Sequence, residues 1–184
     1  MAAHPHRRDE MELKALRARC DTRLRQLGEL PARFDAAMLC ELLAQRRGRP
    51  IVLQTIDAGV GPCGAWLACP SADLVLYERH TSALHQQHII LHEVSHLLCG
   101  HDAESVDASE LSALLLPDVR PDVVQRVLRR TTYSAEDERE AELLASLILE
   151  RISISDDDVA HDAAVPGLLG RLGLSLEDPP AEQT

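Results

Sequence analysis

The sequence predicts an α+β protein in which a small, mostly antiparallel sheet of about three strands packs on one central helix, with further helices before and after it. Three observations carry this. Short apolar and β-branched segments cluster between residues 50 and 78 with turn residues between them. Apolar residues recur three or four apart on both sides of that stretch, which is the period of a helix with one buried face. Between the two patterns, residues 82–100 carry a start signal, an apolar stripe and a stop signal in the right order.

The elements follow in chain order. Over 8–27, Met11, Leu13, Leu16, Cys20, Leu24 and Leu27 mark an amphipathic helix, punctuated by Gly28 and Pro31. A second helix is expected over 35–46, with Phe34, Met38, Leu39, Leu42 and Leu43 inward and Gly48 closing it. Strands are expected at 50–56, at 65–69 and at 72–78, the last two joined by the Pro70-Ser71 turn. The central helix can be capped by Thr81 or Ser82 and ended by Gly100, with a stripe of Leu84, Leu91 and Leu98 beside Ile90, Val94 and Leu97. Residues 102–120 read as an acidic loop. A helix over 121–130 follows, with Pro121 in its first turn, and then one over 135–152 with Ser134 and Asp137 spaced as a capping box. Three regions result: an N-terminal helical segment (1–49), a core (50–152), and a C-terminal short helix with a flexible tail (153–184).

Charge narrows the classes of function. The chain has 184 residues with 19 basic and 30 acidic side chains, a net charge of −11. The imbalance is concentrated beyond residue 50, where 8 basic residues face 23 acidic ones. Such a surface repels a phosphate backbone, and with only four aromatic residues there is no platform for stacking bases, so no direct contact with nucleic acid is expected. No apolar run approaches the roughly 18 residues that span a bilayer, and the opening residues have no signal-peptide pattern. The expectation is a cytoplasmic protein without membrane contact. Its five cysteines, an odd number without paired CxxC spacing, then read as reduced and mostly buried thiols.

The central helix contains His92-Glu93-Val94-Ser95-His96, an HExxH pattern. Positions four apart lie one turn above each other, so both imidazoles reach one metal ion from the same side. Glu93 is rotated from that pair yet close enough to take a proton from a water at the metal. Chance would produce the pattern only about 0.035 times in a chain of this composition. The bland alternative is a surface helix with two histidines.

A zinc site needs a third protein ligand and an open position. His101 is one candidate, but the metzincin register wants Gly and His where Cys99 and Asp102 stand. The 135–152 helix offers Glu138, Glu140 and Glu142, and physics alone does not choose among them. Glu138 and Glu142 are one turn apart, so one could bind metal while the other orients a ligating histidine. Glu136, Asp137 and Glu140 read as a solvated acidic first turn.

"HEVSHLLCGH" followed about 40 residues later by "EREAELLASLIL" resembles the ImmA/IrrE family of zinc metallopeptidases. The resemblance covers roughly residues 50–152 and implies a zincin-like fold with Zn²⁺ as cofactor. It further implies His92 and His96 as zinc ligands, Glu138 as the third ligand and Glu93 as the catalytic base. Ala141 and Ala145 match the family's two Ala positions, whereas Glu142 stands where the family has Asn, and Leu144 where it has Phe. Glu142 is then expected to support a ligand from behind. The implied activity is a metalloendopeptidase that cleaves a regulatory partner, typically a helix-turn-helix transcriptional repressor. The alternative is a non-proteolytic zinc-containing regulator or toxin–antitoxin protein that acts by protein binding. Tyr133 and His101 are candidates for stabilising a tetrahedral transition state. His88, one turn before His92, reads as a partly exposed helical histidine. The 72–78 strand, directly ahead of the metal helix, is expected at a sheet edge where an extended substrate could add as a strand.

Overall fold

A computed structural model describes residues 5–31, 34–58, 63–105, 121–128 and 133–152. The expected C-terminal helix and tail, most of the acidic loop, and the end of the 121–130 helix lie outside the described residues. The elements are α1 (Pro5–Gln26), α2 (Ala36–Arg47), β1 (Ile51–Ile56), β2 (Gly64–Ala68), β3 (Asp73–Glu78), α3 (Ala83–Cys99), β4 (Glu104–Ser105), α4 (Pro121–Leu128) and α5 over residues 135–152. The fold class is α+β. No described helix is long and apolar enough to cross a membrane.

Local chemistry sets the helix ends. Asp35 caps α2 by accepting from the Met38 N–H at 2.8 Å, and Gly48 closes it in the left-handed region. Ser82 caps α3 by accepting from the His85 N–H, and Gly100, at φ 74°, ends it. At the start of α5 the Ser134 hydroxyl accepts from the Asp137 N–H at 3.1 Å. The Asp137 carboxylate returns the contact to the Ser134 N–H at 3.2 Å.

The sheet runs β1-β3-β2-β4 and is mixed, which corrects the expectation of a mostly antiparallel sheet. β2 and β3 form the expected antiparallel hairpin, but β1 lies parallel to β3 along its whole length, and β2 pairs parallel with the two-residue β4. The physical reason lies in β3. Asp73, Leu74, Val75 and Leu76 are all buried, and a strand apolar on both faces belongs in the middle of a sheet. It therefore inserts between β1 and β2, which are neighbours only in sequence. The same placement overturns the expectation that 72–78 is an edge open to strand addition, because β3 is paired on both sides.

Two apolar clusters flank the sheet. On one face Val75 and Trp66 pack with Cys20 and Leu24 of α1 and Leu27 just past its end, Leu39 and Leu43 of α2, Leu91 and Val94 of α3, and Leu144 and Ile148 of α5. On the other, Leu74, Leu76, Ala65 and Leu67 meet Val124, Val127 and Leu128 of α4. Residues before and after position 50 thus share one core. The apolar stripes are only partly covered: Met11 and Leu13 of α1, Met38 of α2 and Leu84 of α3, all expected inward, are exposed. Periodicity identifies a helix face but not how far along its length a partner covers it.

Candidate metal centre

α3 packs on the sheet with its second half mostly buried, and His92 and Glu93 of the motif line a cleft of about 270 Å³. Cys63, Gly64, His88, Ile89, His92, Glu93, Tyr133, Glu138 and Glu142 line it. α5 crosses beside α3 and brings its acidic first turns over the two histidines.

The arrangement at the centre is compact. His92 Nε2 and His96 Nε2 are 3.1 Å apart, Glu138 Oε2 is 3.3 Å from His92 Nε2, and it is 3.9 Å from His96 Nε2. A tetrahedral zinc with bonds of 2.0–2.1 Å separates its ligand atoms by about 3.3 Å, so these three atoms fit the corners of such a site. The donor chemistry agrees. Glu142 Oε2 lies 3.3 Å from His92 Nδ1, and a carboxylate there favours the proton on that nitrogen. The lone pair on Nε2 then faces the Glu138 carboxylate, and two acceptors in that position form a group able to hold a cation between them. Glu138 is about half exposed, and a position towards the cleft remains open.

His96 is fully buried, and burial, with His92 and His101 next to it, drives its imidazole down to about 3, so the ring is neutral as a metal ligand must be. Glu93 is buried as well. Burial first and the neighbouring Glu138 carboxylate second push its carboxyl up to about 8, against the backbone N–H of Trp66, which donates to it. A carboxyl raised in this way stays protonated near neutral pH when no cation is beside it.

Glu140, expected on the solvated turn, is instead buried, and Arg19 of α1 reaches it at 3.2 and 3.3 Å. Only a cation from a helix more than a hundred residues away makes that burial tolerable. His101, a candidate for the cleft, does not line it: its side chain is 7% exposed and sits behind His96, Nδ1 to Nδ1 at 2.9 Å. Tyr133 does line the cleft and stacks on the His96 ring, with centroids 3.6 Å apart. His88 shares Glu142 with His92, at 3.2 Å, and so belongs to the cleft as well.

Sequence reading missed Gly64. Its segment looks like turn material, yet a Cβ here would come within 2.6 Å of Ile89 Cγ2 and 2.9 Å of Glu93 Oε1. Gly64 is the gap that lets the Glu93 carboxylate lie against β2. Glycine at the start of a strand facing a motif helix is the one signal that pointed to it.

Comparisons with protein-family models, with curated proteins and with solved structures found no match to this chain.

Proposed function

We propose that the chain is a zinc-dependent metalloendopeptidase with a zincin-like arrangement of sheet, HExxH helix and glutamate helix. The observation that carries this reading is the convergence of His92 Nε2, His96 Nε2 and Glu138 Oε2 beside a buried, proton-avid Glu93. His92, His96 and Glu138 would hold the ion. Zn²⁺ in such a site supplies Lewis acidity towards a carbonyl and acidifies a water to a pKa near about 7. With the ion bound, Glu93 would be the residue that accepts a proton from the attacking water and passes it to the leaving amine. Glu142 would keep the His92 ring oriented, and Tyr133, which lines the cleft and stacks on His96, is the candidate to steady the oxygen of a tetrahedral intermediate.

The resemblance to the ImmA/IrrE family supports a cytoplasmic enzyme whose substrate is a regulatory protein, such as a helix-turn-helix repressor. The acidic surface supports protein rather than nucleic acid as the direct partner. The carboxylate at Glu142, where that family has Asn, fits the support role because it lies against His92 Nδ1.

The test incubates zinc-loaded wild type and Glu93→Gln with the candidate repressor and follows fragments by mass spectrometry. Both proteins should retain zinc, and only wild type should cut. Cleavage by Glu93→Gln at the wild-type rate would refute the base assignment. Zinc retained by a wild type that cuts no regulatory partner would favour the binding regulator.

A further inference from the structure

Behind the candidate metal ligands lies a line of polar groups, running from buried His96 to half-exposed Asp137, that the proposed chemistry does not use. His96 Nδ1 is 2.9 Å from His101 Nδ1, and His101 Nε2 is 3.4 Å from Asp137 Oδ1 and 4.0 Å from Glu140 Oε2. Glu140 in turn is gripped by Arg19. Local geometry explains how His101 comes to be there. Gly100 adopts the left-handed conformation that ends α3, and the His101 N–H donates back to the His96 carbonyl at 3.1 Å. The chain thereby reverses and tucks the next side chain under His96. Arg23 of α1 pins the same turn by donating to the carbonyls of Leu98 and Cys99 at 2.9 and 2.8 Å.

Two imidazole nitrogens at 2.9 Å share a single proton, so one donates and the other accepts. If His96 binds metal through Nε2, its remaining proton is on Nδ1, and His101 Nδ1 must be the acceptor. The proton of a neutral His101 is then on Nε2, where it faces two carboxylates, which can only accept. The hydrogen bond from His96 to His101 then has one direction, and the far side of the His101 ring faces Asp137 at 3.4 Å and Glu140 at 4.0 Å. The same logic removes a competing idea. Cys99, His101 and Glu140 are close enough to form a second metal group, but His101 would have no bare nitrogen to offer it, and Glu140 already has Arg19 as its counter-charge.

We infer that His101 is a positioning residue of the metal centre: its Nδ1 accepts the Nδ1 proton of His96 and so fixes the tautomer and ring angle that present His96 Nε2 to the metal. The inference rests on the metal-site reading above. It makes the two histidines unequal, since His92 is backed by the carboxylate of Glu142 and His96 by the imidazole of His101.

The experiment measures zinc affinity by competition with a chromophoric chelator in wild type, His101→Phe and His101→Asn. Phenylalanine keeps the ring but removes the acceptor, and affinity should fall about 10–100-fold. Asparagine places an amide oxygen near the position of Nδ1 and should restore affinity to within a few-fold. On zinc-loaded wild type, ¹⁵N spectra of the histidine side chains should show His101 protonated on Nε2, with coupling between the two Nδ1 nitrogens across the hydrogen bond. Equal affinity in His101→Phe, or a His101 proton on Nδ1, overturns the inference while leaving the metal site standing. If His101→Phe does not fold, the wild-type spectrum decides. A wild type that binds no zinc brings down the metal reading itself, and this inference with it.

Discussion

Two carboxylates are buried against β2 and β3, and they are treated in opposite ways. Asp73, 2% exposed, receives Arg47 at 2.7 Å, Arg49 at 3.1 Å and the indole N–H of Trp66 at 3.3 Å. Arg49 also donates to the carbonyls of Cys69 and Ala72, so the end of α2, the β2–β3 turn and the first residue of β3 are tied together. Glu93, 7% exposed, has the backbone N–H of Trp66 and, for a neighbour, another carboxylate. A buried charge supplied with cations holds a fold together. One set beside a like charge is pushed towards its protonated form instead. Trp66 touches both, with its side chain on the first and its main chain on the second.

Breaking the first region should have the largest effect. Asp73→Ala leaves two guanidinium groups and an indole donor without their acceptor, and should cost about 3 kcal/mol, the arginines being about one third exposed and able to recover some hydration. Urea denaturation reads this directly, and a loss below about 1 kcal/mol would mean that the clamp is ornamental.

Glu93→Gln should go the other way. The folded protein holds the Glu93 proton up to about 8, whereas an unfolded glutamate releases it near 4.5. Between those values the folded state binds more protons, so the stability of the metal-free wild type falls as pH rises. Glutamine does not titrate. The variant should therefore gain on wild type between pH 5 and pH 8, by on the order of 2 kcal/mol in the absence of metal. A gap that stays constant across that window, or shrinks, would show that Glu93 is not held in a raised state.

Trp66→Phe sharpens the contrast at its shared residue. It deletes the indole donor to Asp73 and keeps the backbone N–H on Glu93, so it should cost about 1 kcal/mol while leaving the Glu93 pH dependence unchanged. A change in that pH dependence would mean that the two regions are coupled through packing.

What could be read in the sequence was local. Gly48, Gly100 and the Ser134–Asp137 pair act within one turn of the chain and sit where their spacing placed them, Ser82 is the one of two candidate caps that serves α3, and Asp35, read as the first residue of α2, caps it instead. The His92–His96 pair is legible for the same reason. What stayed hidden depends on segments far apart in the chain. The central position of β3 follows from burial on both faces, Glu140 is buried because Arg19 reaches it from α1, and Gly64 matters only because Glu93 arrives opposite it. His101 is an intermediate case. The Gly-His step after α3 is visible, but a turn that folds a histidine back under His96 looks, in sequence, like any helix end.

The most direct test of the central claim is the zinc content and affinity of the purified protein beside His92→Ala, His96→Ala, Glu138→Ala and Glu142→Ala. Wild type should hold about one zinc per chain, as a three-ligand site with an open position does. The two histidine variants should lose it, Glu138→Ala should be severely weakened, and Glu142→Ala should bind about 10–100-fold more weakly than wild type. Stoichiometric zinc in both histidine variants, or a Glu138→Ala protein that binds as tightly as wild type, would contradict the metal centre described here.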